Sequence, residues 1–460
     1  MIVFVMLFFV SLITLLGAFI AVSKRDARGS AAESLGGLWC ESVLAEYDLP
    51  LQQRYGIFGF YGSSRETPMR LDFYADRSFH DKRNIEYQGS RVFLDPYSLN
   101  STECMKQQMV HVGKILAAEN AFSDHKTKMQ ERKAGKTEKS VQKQNAGNGK
   151  TDIQKNRNFS EIIPAAPKIS ERGSIGSSSV LASLPSSGAS GGCSAARLKD
   201  AVRGMHSLKD MVRKGSSRYF LDRYLFVLYR DHVNDKELEG CYFDNEIEYV
   251  ICGHPDDEKN LRGVRRRIIA VREVMNMMYI LQDPEMNEKT LALAEIIAPG
   301  PQAAAVQKLL QAGWALAESR NDYQLLIQNK KVPLRKDRQS WAVDLESILE
   351  SRKGERKKKN ESDEAGESEE TSITFKKELP CIDPGNSHGE TYEDYLRFFT
   401  SVMGEEICIL RMMDLIQINM QYGWNKDFLL REHYCGLDAE FKVNGHTCAV
   451  KREYYPEQSS

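Results

Sequence analysis

The chain has almost no net charge: 63 Lys and Arg against 64 Asp and Glu over 460 residues leave −1. That balance gives no electrostatic footprint for nucleic acid, so no nucleic-acid partner is expected. The nine cysteines form no C-x-x-C pair and no Cys/His ladder, which argues against zinc. Gly-rich phosphate loops and an H-E-x-x-H helix are both missing. No catalytic, metal-ligating or cofactor-binding residue is therefore assigned, no cofactor is expected, and the chain reads as non-enzymatic.

Charge is also missing from residues 2–22, IVFVMLFFVSLITLLGAFIAV. As a helix this run spans roughly 31 Å, close to the hydrocarbon thickness of a bilayer. Lys24, Arg25 and Arg28 end it. The lipid bilayer is thus the expected partner of residues 2–22. A cleaved secretory signal is the competing reading, with Ala21-Val22-Ser23 as a tolerable cleavage site. The run is longer than the usual signal core, however, and no positive charge precedes it. Read literally, the positive-inside rule puts the Lys24–Arg28 side in the cytoplasm. The chain opens in mid-hydrophobic pattern, and a basic leader lost to a late start would reverse that inference.

The expected fold class is α+β, predominantly α: an N-terminal transmembrane helix and an α-rich soluble body interrupted by two disordered linkers. The anchor at 2–22 is followed by a helical stalk and membrane-proximal region at 23–122. Apolar residues keep a loose helical spacing over 27–49, and Pro50 stops it. Gln53–Tyr61 suits a turn or short strand, and 101–120 another helix. A disordered linker is expected at 123–204, first basic and Gln/Asn-rich, then Ser/Gly-rich. Neither half can bury enough apolar surface to offset its ordering entropy.

The α-rich body is expected at 205–350. Within it, Asn245–Cys252 alternates with period two and reads as a half-buried strand. A long helix follows at about 258–282, with Ile268, Val271, Met275 and Met278 on one face and Arg265–Arg267 and Arg272 flanking it. Helices at about 286–298 and 301–320 come next. A charged linker at 351–388 carries a basic block and then an acidic one. The last block, 389–460, is helical with a terminal β-hairpin. Its helix at about 405–423 is apolar nearly all round, with Arg411 and Asp414 placed to pair. Asn444-Gly445 marks the hairpin turn.

Two clusters invite a chemical reading. His254-Pro255-Asp256-Asp257-Glu258 suits a helix N-cap with acids in the first turn better than a metal site. His433, Cys435 and His446 lack ligand spacing. The methionines at 275–278, 403, 412, 413 and 420 read as core, with a partner groove as the lesser alternative. Cys241/Cys252 and Cys435/Cys448 are each spaced to close a local disulfide if exported, against small buried or free thiols.

Several segments together resemble a known family. They are the anchor, Ser42–Asp48 with Arg54–Phe58, Glu246–Ile251, Val271–Asn276, Trp314–Ser319, Val332–Leu334, Tyr392–Leu396 and Arg411–Gln417. The resemblance is to an uncharacterised family of Gram-positive bacterial proteins of unknown function. Its N-terminal anchor is similar to that of TadE/TadG pilin-like proteins, and its members accompany tight-adherence pilus machinery. This implies an extracytoplasmic body on a membrane helix, with envelope or pilus assembly proteins as partners, and supplies no catalytic residues. The family pattern would place charged or Gly/Ser residues before the apolar run. No Glu lies five residues into that run after a Gly, so prepilin processing is not expected. The expected function is an accessory part of a pilus or envelope assembly, with an extracytoplasmic ligand-binding or sensory module as the alternative.

Overall fold

In the computed structural model of the chain, the described residues are 2–79, 86–134, 180, 183–189, 198, 201, 208, 216–234, 238, 240–348 and 380–455. The chain divides into two compact units, residues 1–168 with 413–460, and residues 169–412. The block expected at 389–460 is therefore shared between them.

In the first unit, helix α1 (Ile2–Leu44) runs unbroken through the apolar segment and beyond it. Its first part is exposed, whereas Ala32, Trp39, Cys40, Val43 and Leu44 are buried. Pro50 does not end this helix. The chain turns after Leu44, Asp48 accepts the Leu51 N–H at 2.9 Å, and Pro50 occupies the first turn of α2 (Leu49–Tyr55). That is where proline's missing N–H costs nothing. The strand β1 (Phe60–Tyr61) falls within the aromatic run read as a turn or short strand.

Helix α3 (Glu66–Phe79) leads to β2 (Tyr87–Phe93), a strand that carries no alternation in its sequence. Helix α4 (Thr102–Ala134) extends well into the segment expected as a linker from 123. At the far end of the chain, β3 (His433–Tyr434) pairs with β1, and β4 (Gly436–Val443) with β5 (His446–Glu453) forms the expected hairpin. Asn444 and Gly445 turn it with φ of 48° and 77°, the double positive-φ geometry that Asn-Gly favours. The sheet order is β2-β4-β5, antiparallel throughout.

The period-two pattern of β4 puts Leu437, Ala439, Phe441 and Val443 on one buried face. Phe441 meets Trp39 of α1 edge-on, ring centroids 5.1 Å apart. Gly36 lets them close, since a Cβ there would lie 2.8 Å from the Phe441 ring. The sheet is tied to α3 by Asp72, which accepts from the Tyr87 and Ser90 hydroxyls.

The second unit is helical: α5 (Ser217–Leu228), α6 (Glu246–Cys252), α7 (Asp257–Gln282), α8 (Pro284–Ile297), α9 (Ala303–Ile327), α10 (Tyr392–Val402) and the start of α11 (Glu405–Gly423). The strand expected at Asn245–Cys252 is instead the helix α6. Its alternation misleads because both sets of side chains are buried, Glu246 and Glu248 included. Those carboxylates accept the backbone N–H groups of Arg230 and His232 at 2.9 and 3.0 Å. Gly253 ends α6 in the left-handed region, φ 68°. A Cβ at Gly253 would collide with the Arg411 guanidinium, whose Nη1 donates to the terminal carbonyls of Val250 and Ile251 at 2.9 and 3.0 Å.

Some residues inside both expected linkers are packed. Leu184 and Leu198 are buried, and Asn321 of α9 exchanges two 2.8 Å hydrogen bonds with the backbone of Ile382. The expected linkers at 135–179 and 351–379 lie outside the described residues. Of the methionines read as core, Met275, Met403, Met412, Met413 and Met420 are buried, whereas Met277 and Met278 are half-buried.

Candidate functional site

The His/carboxylate cluster is a capping device. Asp256 accepts the Lys259 N–H at 3.3 Å as N-cap of α7. Asp257 turns inward and accepts from Asp244 N, Asn245 N and Asn245 Nδ2. His254 Nδ1 accepts the Asp256 N–H at 3.1 Å, and burial together with Lys259 holds this imidazole below its usual pKa. His433 and His446 are not brought together: His433 is bound to the Leu429 carbonyl, whereas His446 opens β5 at the hairpin turn.

The register also rules out a Cys435–Cys448 disulfide. Cys448 stands opposite Phe441, six residues along from Cys435, or roughly 20 Å of strand. Cys104 Sγ donates to the Pro96 carbonyl at 3.3 Å, and the neighbouring Cys435 thiol holds the Cys104 thiol down at about 7. Cys241 and Cys252 are in no disulfide, and the Cys252 sulfur accepts from Arg267 Nη1 at 2.8 Å.

A cluster that sequence reasoning missed lies in the core of the second unit. Arg272 reads as a flanking residue, yet its side chain is fully buried and meets Asp322, also fully buried, at 2.9 Å. Its Nη1 donates to the carbonyls of Pro333 and Leu334, and its Nη2 to Asn276. Asn276 in turn donates to Ser319 and Asp322 at 3.0 and 2.9 Å. Lys336 pairs with Glu318 and, at 2.7 Å, with Asp322. Glu318 also accepts the N–H groups of Ala342 and Val343.

Two cations thus face two carboxylates. Burial opposes the charge of Asp322, but Arg272 and Lys336 outweigh it and keep this carboxyl below its usual range. The cluster pins segment 333–343 across α7 and α9. It is a structural clamp: buried charges of this kind are tolerated only when paired and hydrogen-bonded. A legible signal was the i, i+4 spacing of Arg272/Asn276 and Glu318/Asp322 inside apolar helices.

Glu248 is the other buried acid. Tyr392 donates to it at 2.8 Å, its Oε2 accepts no hydrogen bond among the described residues, and burial pushes its carboxyl up to about 8.

In the first unit a cavity of about 220 Å³ opens where α1 meets the hairpin. Ala21, Arg25 and Arg28 line it from the helix, and Asn444, His446 and Cys448 from the strands. Cys448 Sγ approaches the Gly29 carbonyl at 3.9 Å and marks the contact between the two elements. Among the described residues, no group of three or more His, Cys, Asp or Glu is placed to hold a metal ion.

The molecule is thus a mostly helical protein with a few strands and one N-terminal helix long and apolar enough to cross a membrane. It belongs to the family of unknown function DUF5702, whose model matches residues 136–445. Neither the curated proteins nor the solved structures contain a match. Three of the segments that carry the resemblance, Val271–Asn276, Trp314–Ser319 and Val332–Leu334, supply Arg272, Asn276, Glu318, Ser319 and the Pro333 and Leu334 carbonyls to the buried clamp.

Proposed function

We propose that this protein is a single-pass, non-enzymatic component of the bacterial cell envelope, with the bulk of the chain outside the cytoplasm. Its role is that of an accessory part of a tight-adherence pilus or related assembly. The observation that carries the membrane reading is α1. One continuous helix is uncharged and exposed over residues 4–22, with the described side chains all reaching solvent, and then buried from Ala32 against the sheet. Apolar side chains exposed over that length are stable in a bilayer and not in water.

With no break between anchor and sheet, the first unit is held rigidly close to the membrane surface. The polar residues of the second unit support a scaffold: its buried charges bind one another and the backbone. The pilus assignment and the Gram-positive origin rest on resemblance in the anchor and the motif segments.

Topology is tested with Cys381, an exposed thiol. A membrane-impermeant maleimide added to intact cells is expected to label it. Labelling that occurs only after lysis would place the body in the cytoplasm and overturn the envelope reading.

A further inference from the structure

The lining of the cavity between α1 and the hairpin is rich in hydrogen-bond donors. Ala21, Arg25, Arg28 and Ala32 follow one another at spacings of four, three and four, so they form a single stripe on the helix. The alanines leave room, and the arginines reach into it. Neither Arg25 nor Arg28 has an ion-pair or hydrogen-bond partner among the described residues. Asn444 faces them from the turn. Its Oδ1 accepts the Glu86 N–H at 2.8 Å, which fixes the other end of the amide as the donor. That Nδ2 is buried and donates to nothing among the described residues. His446 completes the polar side. The acids Asp26 and Glu33 fall roughly 110–130° around the helix from the stripe. Burial and the nearby Glu33 raise the Cys448 thiol, but no acid lines the cavity, whereas Arg25 and Arg28 do.

Two free guanidiniums, an unpartnered amide donor and an imidazole call for an oxyanion, and guanidinium matches phosphate oxygens two at a time. Position selects the source. Arg25 and Arg28 lie roughly 5 and 9 Å along the helix from Val22, the depth of a headgroup layer beyond the hydrocarbon. We propose that this cavity binds the phosphate of an anionic lipid headgroup and so fixes the rotation of the anchor helix at the membrane surface. The proposal rests on the membrane reading of residues 2–22.

The full chain in mild detergent is titrated calorimetrically with dihexanoyl phosphatidylglycerol, dihexanoyl phosphatidylcholine and inorganic phosphate. The phosphatidylglycerol is expected to bind most tightly. Arg25→Gln/Arg28→Gln should weaken it roughly thirtyfold, the combined worth of two basic side chains at an anionic surface. His446→Ala, which leaves both arginines in place, should weaken it less. Equal affinity of wild type and the double variant overturns the proposal. Inorganic phosphate binding as tightly as the lipid also overturns it, in favour of a free-phosphate site. Alkaline carbonate extraction from phosphatidylcholine vesicles separates the two readings: both proteins should resist it, and release of the wild type would sink the membrane reading itself.

Discussion

Arg272 and Asp322 meet at 2.9 Å with neither side chain reaching solvent. The pair belongs to a four-charge set with Glu318 and Lys336, so its energetics depend on balance and not on one bond. Arg272→Met strips one cation and leaves two buried carboxylates facing Lys336 alone. A loss of about 3–5 kcal/mol in denaturant unfolding is expected. The double variant Arg272→Met/Asp322→Asn restores neutrality, with Lys336 against Glu318, and should cost less than the single change. A double variant that loses the sum of both single costs would show that charge balance is not what holds the clamp.

Glu248 gives stability a pH dependence. Its carboxyl titrates at about 8 in the folded protein, well above the ordinary range of the unfolded chain, near 4.5. Between those values the folded state holds a proton that the unfolded state releases. Stability contributed by this group is therefore full below about pH 4.5 and falls by ~1.4 kcal/mol per pH unit as pH rises through the window. Glu248→Gln keeps an acceptor for Tyr392 and His232 and removes the titration. Melting curves between pH 5 and 8 should be flatter for this variant than for wild type.

Two glycines seven residues apart on α1 should respond oppositely to alanine. At Gly29 a Cβ meets nothing within 4 Å, and Gly29→Ala should gain about 1 kcal/mol from helix propensity. At Gly36 the added carbon meets Phe441 at 2.8 Å, so Gly36→Ala must push the strand away from the helix and should lose about 1–3 kcal/mol. Thermal unfolding of the two variants side by side checks the packing of α1 on the sheet.

Cys104 and Cys435 are placed to exchange with an oxidant. Cys104 is held near 7 by the Cys435 thiol, so much of it is thiolate at neutral pH. Oxidised glutathione should convert the pair to a disulfide: two protons and two electrons leave the thiols, and the reagent is reduced to two glutathione thiols. Peptide mapping without reductant should find Cys104 joined to Cys435. A Cys435–Cys448 link would contradict the β4–β5 register.

The parts legible in the sequence were those set by local chemistry. Asn444-Gly445 dictated a hairpin turn, Asp256 or Asp257 an N-cap, and the apolar residues of 405–423 a buried helix. What stayed hidden depended on distant partners. Glu246 and Glu248 look like the wet side of a strand until the loop at 230–232 supplies N–H groups for them to accept. Arg272 looks like a surface charge until Asp322, fifty residues on, faces it. β2 carries no alternation of its own, and the strand β4 that it pairs with lies some 350 residues later.

On the proposed membrane reading, the one helix α1 is both anchor and part of the folded first unit. Alkaline carbonate extraction of membranes carrying the full chain tests it most directly. The protein is expected to remain in the pellet, together with peptides from residues 2–22. Recovery of the body in the supernatant, with those residues removed, would contradict the anchor and favour a cleaved signal.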